Sequence, residues 1–188
     1  MEISEHEIQK IVRAAQSGDR DSMGQLFDLF NDRIYRFVAY RVSTRETAED
    51  LTQTIFVATI ESLHRYMNDG RTKFSTWLFQ IARHKLIDHY RQQRVQIPLD
   101  HVSEINHATL IVESPELAFD SRSTAVWRMF KQLPLQFQEV LQLHYVEGIG
   151  LSDIAQIIGT SAVNARVIKY RALRQLRRLL NESSATSL

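Results

Sequence analysis

A single glycine, Gly159, constrains this chain more than any other residue, because it divides two helical patterns that fit no other fold element. Before it, Leu151, Ile154, Ala155 and Ile158 recur at i, i+3, i+4 and i+7, which is one face of a helix. Ser152 and Asp153 put oxygen acceptors near the free N–H groups of that helix's start. Gly159 stops it, since glycine takes a positive φ without steric cost. Thr160 or Ser161 then caps a second helix, whose stripe is Ala165, Ile168, Ala172, Leu176 and Leu179. Arg166, Lys169, Arg171, Arg174, Arg177 and Arg178 crowd this second helix, and no carboxylate lies among them. A short helix, a tight turn and a cationic second helix make a helix-turn-helix. An ordinary helical hairpin with a solvated basic face is the bland alternative. Turn, cap and one-sided charge together favour DNA.

The rest of the composition narrows the class. Over 188 residues the formal net charge is only +1, so nucleic-acid binding is signalled by where the cations sit and not by their total. There is no cysteine, which excludes disulfides, thiolate metal sites and a thiol nucleophile. The first residues, Met1 to Ile8, are polar and acidic, unlike a signal peptide. No apolar run approaches the ~20 residues that span a bilayer. The expectation is a soluble, cytoplasmic chain without membrane insertion. With six Gly and three Pro, it has room for long helices.

Taken in order, the helical patterns continue. Ile8, Ile11, Val12 and Ala15 begin an amphipathic helix that Gly18 ends. Asp21 or Ser22 caps the next, carried by Leu26, Phe27, Phe30, Ile34, Phe37 and Val38 to about Val42. A third helix, Ala48 to Leu63, takes its core from Leu51, Ile55, Phe56, Ala58 and Leu63. Its acidic start (Glu46, Glu49, Asp50) suits the helix dipole, which by spacing alone is reason enough for those carboxylates. A fourth, Phe74 to Arg94, buries Phe74, Leu78, Ile81, Ala82 and Lys85 or Leu86. Its other face mixes Arg83, His84, Lys85, Arg91 and Arg94 with Trp77 and Tyr90. Such a mixture offers charge for phosphates and π-faces for exposed bases, although Trp77 reads more readily as a core anchor. Gln96 to Ser121 holds Pro98, Pro115 and five carboxylates with no Lys or Arg, and reads as a flexible linker. Within it, Thr109 to Val112 is a local strand or a docking patch. Beyond it, Ala125, Val126, Met129, Phe130 and Leu133 mark one helix. Pro134 opens another, with Phe137, Val140, Leu141 and Tyr145 on one face and Gly148 at its end. The fold class expected is all-α: two helical domains joined by a flexible linker, the C-terminal one a four-helix domain with a helix-turn-helix.

Ordered motifs now resemble one family. A48-E-D-L-T-Q-T-I-F56 is similar to A-E-D-L-x-Q-x-x-F, and F74-S-T-W-L-F-Q-I-A-R-H84 to F-x-x-W-L-x-x-I-A-x-N. L133-P, V140-L-Q-L-H-Y-V-E-G148, I154-A and R171-A-L complete the set. These resemble bacterial RNA polymerase sigma factors of the extracytoplasmic-function (ECF) type, over most of the chain. The resemblance implies residues 1–95 as region 2, 96–121 as an acidic linker, 122–182 as region 4 and 183–188 as a tail. It implies docking on the β′ clamp helices of core RNA polymerase through Glu49, Asp50, Gln53 and Phe56, with the β subunit as a further partner. It implies −10 promoter contacts from Lys73, Trp77, Arg83, His84 and Arg91. It implies −35 contacts from His144, Asn164, Arg166, Lys169, Tyr170, Arg171 and Arg174. The linker would follow the polymerase channel that nascent RNA later uses. An anti-sigma factor is an implied partner. No cofactor, metal or catalytic residue is implied.

The sequence departs from the family pattern at named places. Where V-K-S-R-L-x-R-A-L is usual, A165-R-V-I-K-Y-R-A-L173 stands. Val167 replaces a small hydroxyl residue, and Ile168-Lys169 inverts the usual cation–apolar order. Since 168 and 169 both neighbour 165 and 172 on a helix, either one can be the buried member. His84 replaces an expected Asn, and His144 an expected Arg. Two other classes compete. A stand-alone helix-turn-helix regulator would carry a sensor or dimerisation module, and none is visible. An enzyme could start from His84 and Asp88 at i, i+4 with His89, but no third ligand, H-E-x-x-H, P-loop or G-x-S-x-G accompanies them.

Overall fold

The structure is a computed structural model that describes residues 3–67, 70–95 and 121–185. The chain divides into two compact units, 1–97 and 98–188. All regular structure among the described residues is helical. The expected linker lies outside them except for Ser121, and so does the run from Thr109 to Val112.

Unit 1 is built from α1 (Glu5–Gln16), α2 (Arg20–Ala39), α3 (Arg45–Ser62) and α4 (Phe74–Val95). Helices α1, α2 and α3 each start with a side-chain cap. Ser4 and Glu7 form a capping box on α1: the Glu7 N–H donates to Ser4 Oγ at 3.3 Å, and the Ser4 N–H to Glu7 Oε2 at 2.8 Å. Asp19, not Asp21 or Ser22, caps α2 by accepting from the Ser22 N–H at 3.0 Å. Thr44 caps α3 by accepting from the Thr47 N–H at 3.1 Å. Helices α1 and α2, α2 and α3, and α3 and α4 pack pairwise. Their shared core is aromatic. Phe37 meets Phe79 edge-on at 5.1 Å and Phe30 meets Phe74 at 5.4 Å, with all four rings buried. Gln16 Nε2 donates to the carbonyls of Leu63 and Tyr66 at 2.9 and 2.8 Å, which ties the end of α1 to the end of α3.

On α3 the buried face is Ala48, Thr52, Ile55, Phe56 and Thr59, while Leu51 and Ala58 are half-buried. The expected stripe is therefore turned. Thr52 and Thr59 enter the core because their hydroxyls donate to the carbonyls of Ala48 and Ile55, both at 2.7 Å. On α4 the fully buried line includes Phe79, and both Ile81 and Lys85 are only half-buried.

Unit 2 contains α5 (Ser121–Lys131), α6 (Leu135–Leu141), α7 (Leu151–Ile158) and α8 (Ala162–Ala185). A π-helical turn over Gln142–Val146 extends α6. The Glu147 N–H donates to the Gln142 carbonyl at 3.1 Å, an i→i−5 bond. The wider turn shifts the register, so Tyr145 is 59% exposed where α-helical spacing had put it on the buried face. Gln142 and Leu143 are buried instead. Leu133, Leu141 and Ala172 centre the core, with Phe130, Phe137, Leu173, Leu176 and Leu179 packed around them.

Hydrogen bonds from the Ser22 hydroxyl, then from its N–H, hold the Asp19 carboxyl below its usual value. The Ser4 hydroxyl and N–H do the same for Glu7. A depressed carboxylate gives stability that is present above its unfolded pKa and lost as pH falls through the folded one. Thermal unfolding measured from about pH 6 down to about pH 3 should therefore show unit 1 weakening on the acid side. Asp19→Asn keeps a capping side chain but cannot titrate. That variant should show a shallower acid loss; an identical pH profile would remove Asp19 from the account.

Candidate nucleic-acid and polymerase interfaces

The helix-turn-helix forms as its residues dictate. Gly150 stands at the N-cap of α7 without a side chain to cap it, and Asp153 lies in the first turn. Ser152 and Asp153 are thus inside the helix and not its cap. Gly159 adopts φ +70°, and the Thr160 N–H closes the turn on the Ala155 carbonyl at 2.9 Å. Ser161 caps α8 by accepting from the Asn164 N–H at 3.1 Å, while Asn164 Nδ2 donates to Thr160 Oγ1 at 2.7 Å. Helix α7 buries Ile154, Ala155, Ile157 and Ile158. Helix α8 buries Ala165, Ile168 and Ala172. Ile168 is thus the buried member of the inverted pair, and Lys169 is half-buried at the flank.

The outward side of α8 carries most of the residues expected at DNA. Asn164, Arg166, Tyr170, Arg171 and Arg174 are exposed. His144 and Lys169 are held differently. Lys169 Nζ lies 3.5 Å from His144 Nε2, and His144 Nδ1 lies 3.1 Å from the Ile149 carbonyl. With Nδ1–H donating to that carbonyl and Nε2 accepting from the ammonium, the imidazole bridges the π-helical turn to the flank of α8. Val163 and Val167, which motif reasoning did not select as contacts, stand among the exposed residues of the same helix.

In unit 1, Asp50 and Gln53 are exposed on α3. Glu49 is engaged by Arg45, whose Nε donates to Glu49 Oε1 at 2.7 Å. This bond is the first cause that raises the Arg45 pKa. Both side chains are solvated, so the pair adds little stability. Phe56 is 7% exposed and packs on Phe27 at 4.8 Å, so it supports the surface from beneath and offers a partner almost no area. The outward apolar groups are Phe27, Val57 and Ile60, at 43%, 55% and 51% exposure. Val57 and Ile60 lie at i+4 and i+7 from Gln53, a signal the sequence already contained.

Trp77, His84 and Arg91 follow one another at steps of seven along α4, close to two full turns, so they share one line of that helix. His84 and Arg91 are exposed, and Arg91 Nη1 approaches Asp88 Oδ1 at 3.8 Å. Trp77 is half-buried, with ring centroids 5.2 Å from Tyr66 and 5.7 Å from Phe74. It is an anchor with one accessible side. Lys73 is exposed just before α4, and Arg83 is half-buried one step off the line. The residues expected at the −10 and −35 elements thus belong to different units. Among the described residues, no group of three or more His, Asp or Glu side chains is placed to hold a metal ion. No helix there is long and apolar enough to cross a membrane.

A helical unit with a cation- and aromatic-lined helix, followed by a helix-turn-helix unit with a cationic recognition helix, defines a two-part DNA-reading protein. Comparison with known proteins narrows that class. Residues 26–95 match the family described as sigma-70 region 2, and residues 123–176 that described as sigma-70, region 4. The ECF RNA polymerase sigma factor BldN of Streptomyces coelicolor is 32% identical over 177 residues, 93% of this chain and 66% of that protein. The ECF RNA polymerase sigma factor SigD of Mycobacterium bovis is 30% identical, over 89% of this chain and 81% of its own length. The solved structure of CnrH in complex with the cytosolic domain of CnrY is similar in fold, with a TM-score of 0.69 at 21% identity, covering 93% of this chain and 97% of that one. The chain belongs to the family of ECF RNA polymerase sigma factors.

Gly159 meets no atom within 4 Å of an added Cβ, so its requirement is the positive φ alone. Gly159→Ala should cost about 1–2 kcal/mol in thermal or denaturant unfolding of unit 2. Gly159→Asn should cost less, because Asn tolerates the left-handed region. Equal losses for both would mean that something other than φ is at stake.

Proposed function

We infer that this chain binds core RNA polymerase and directs it to promoters whose −10 element is opened by unit 1 and whose −35 element is read by α8. The carrying observation is the outward face of α8. Arg174 is exposed opposite the buried Ala165–Ile168–Ala172 line and Arg166 and Arg171 are exposed to either side of it, in a helix-turn-helix that follows a region 2 unit. Helix α3 docks on the β′ clamp helices. Asp50 and Gln53 supply its polar contacts, and Val57, Ile60 and Phe27 its apolar ones, with Phe56 beneath. Along α4, Lys73, Trp77, Arg83, His84 and Arg91 hold the opened non-template strand. Separating bases costs a few kcal/mol each, which phosphate contacts and stacking offset. The segment 96–121 follows the RNA channel, and the β subunit is a further partner. The protein acts in the cytoplasm, where polymerase and promoter are. Control by an anti-sigma factor is part of the same reading. The exposed apolar patch of α2 and α3 supports it, because a patch that must be covered in the active complex can also be covered in the silent one. No catalytic residue, metal or cofactor enters this reading.

Run-off transcription with core polymerase on a random promoter library tests the function directly. The chain alone should retain promoter DNA poorly, and core polymerase should restore binding. Tight, specific binding by the chain alone would favour a stand-alone regulator. Within α3, Asp50→Lys and Val57→Ser should each weaken core binding at unchanged helicity and melting temperature. Phe56→Ala should instead lower the melting temperature, because it empties a packed site. Core affinity that survives the first two substitutions would move the interface elsewhere.

On α8, Arg166→Ala and Arg171→Ala should weaken promoter binding by the polymerase complex. Each should lower the slope of log affinity against log salt by about one for every phosphate it leaves without a cation. An unchanged slope for both would take them out of the interface.

A further inference from the structure

Helix α8 exposes an apolar strip in the middle of its cations. Val163, Val167 and Tyr170 are 68%, 37% and 66% exposed, and they recur at i, i+4 and i+7. That spacing places them on one face, directly away from buried Ala165, Ile168 and Ala172. Exposed Arg166 and Arg171 flank the strip, and Arg174 continues it. The first carboxylate of the helix is Glu182, already bound to Arg178 Nε at 2.7 Å. A second copy of this helix, or any basic partner, is repelled from such a face. A polyanion whose surface also presents apolar groups fits it. Duplex DNA is that polyanion, and in its major groove the apolar group on a base edge is the C5-methyl of thymine.

We propose that Val163 and Val167 read thymine C5-methyl groups in the −35 element. This rests on the reading of α8 as the recognition helix. The N-terminal residues of such a helix are the ones that reach base edges, and Val163 and Val167 lie in its first two turns. Val163 and Tyr170 are separated by about 10 Å along the axis, the length of about three base-pair steps. Against guanine or cytosine, a valine covers polar edges that then lose water without gaining a partner. Against thymine it meets a methyl. The flanking arginines fix the helix on the phosphates, and the valines discriminate between bases. Where the family usually carries a small hydroxyl residue, Val167 thus trades a hydrogen-bonding contact for an apolar one.

The test uses the full chain assembled with core polymerase, and promoter duplexes that this complex selects from a random pool. Each selected duplex is made again with deoxyuridine in place of thymidine in the −35 element, which removes the methyl and keeps every hydrogen-bonding group. Binding should weaken about fourfold per contacted methyl. For the Val163→Ala, Val167→Ala double variant the two duplexes should bind alike, while its salt slope stays that of the unchanged chain. Equal binding of thymine and uracil duplexes by the unchanged chain overturns the proposal, as does a selected −35 element without thymine. If the Arg166→Ala and Arg171→Ala variants still show a reduced salt slope in that case, only the methyl reading falls. If their slope is unchanged, the assignment of α8 to DNA falls with it.

Discussion

The packing of Ala165, Ile168 and Ala172 against the body of unit 2 is the constraint on which the proposed DNA-reading surface depends. Two alanines and one isoleucine let α8 sit close to its neighbours, and a close, dry contact fixes the rotation of a helix about its own axis. Once that rotation is fixed, every other side chain of α8 has an assigned direction. Arg166, Arg171 and Arg174 face outward because Ile168 faces inward. Lys169 falls at the flank and meets His144. Electrostatics alone would not set this orientation, since solvated cations have no preferred direction on an isolated helix.

The turn before α8 carries the same logic. Left-handed Gly159 and the Ser161 cap determine where α8 starts, hence which residues form its first turn. On the far side, the π-helical turn of Gln142–Val146 buries Gln142 and Leu143 and brings His144 to the flank of α8. One extra residue in a helical turn thereby connects two elements that regular spacing would leave apart.

Much of this was legible in the sequence, for reasons that differ by element. The Ser161 cap, the glycine stop and the stripes of α7 and α8 are local features, and local physics suffices for them, whereas the α2 cap fell to Asp19 and not to Asp21 or Ser22. The resemblance of the ordered motifs carried the family. What escaped was decided by context. Thr52 and Thr59 look polar, yet α3 supplies its own acceptors and lets them be buried. Tyr145 looked buried because an α-helical period was assumed across a π-helical turn. The order of Ile168 and Lys169 left two rotations of α8 open, and only packing chose between them. Phe56 belongs to a motif that implies an interface, and only packing shows that it lies against Phe27 while Val57 and Ile60 stand exposed on the same helix.

The charge balance explains why a two-part reader suits this chain. With 23 basic and 22 acidic residues, its long-range attraction to DNA is weak, so its cations act where they are concentrated. A single recognition helix with a few phosphate contacts gives modest affinity that falls steeply with salt. Joining two weak contacts on one particle turns the second into an intramolecular event, and the gain is kept only when both sites lie at the reach of the particle. Core polymerase supplies that particle and fixes the reach. A nearly neutral chain then has an advantage over a strongly basic one. Weak long-range attraction leaves random DNA little held, and on the proposed reading of α8 the preference for a promoter would come from its outward side chains, whose contacts differ from base to base.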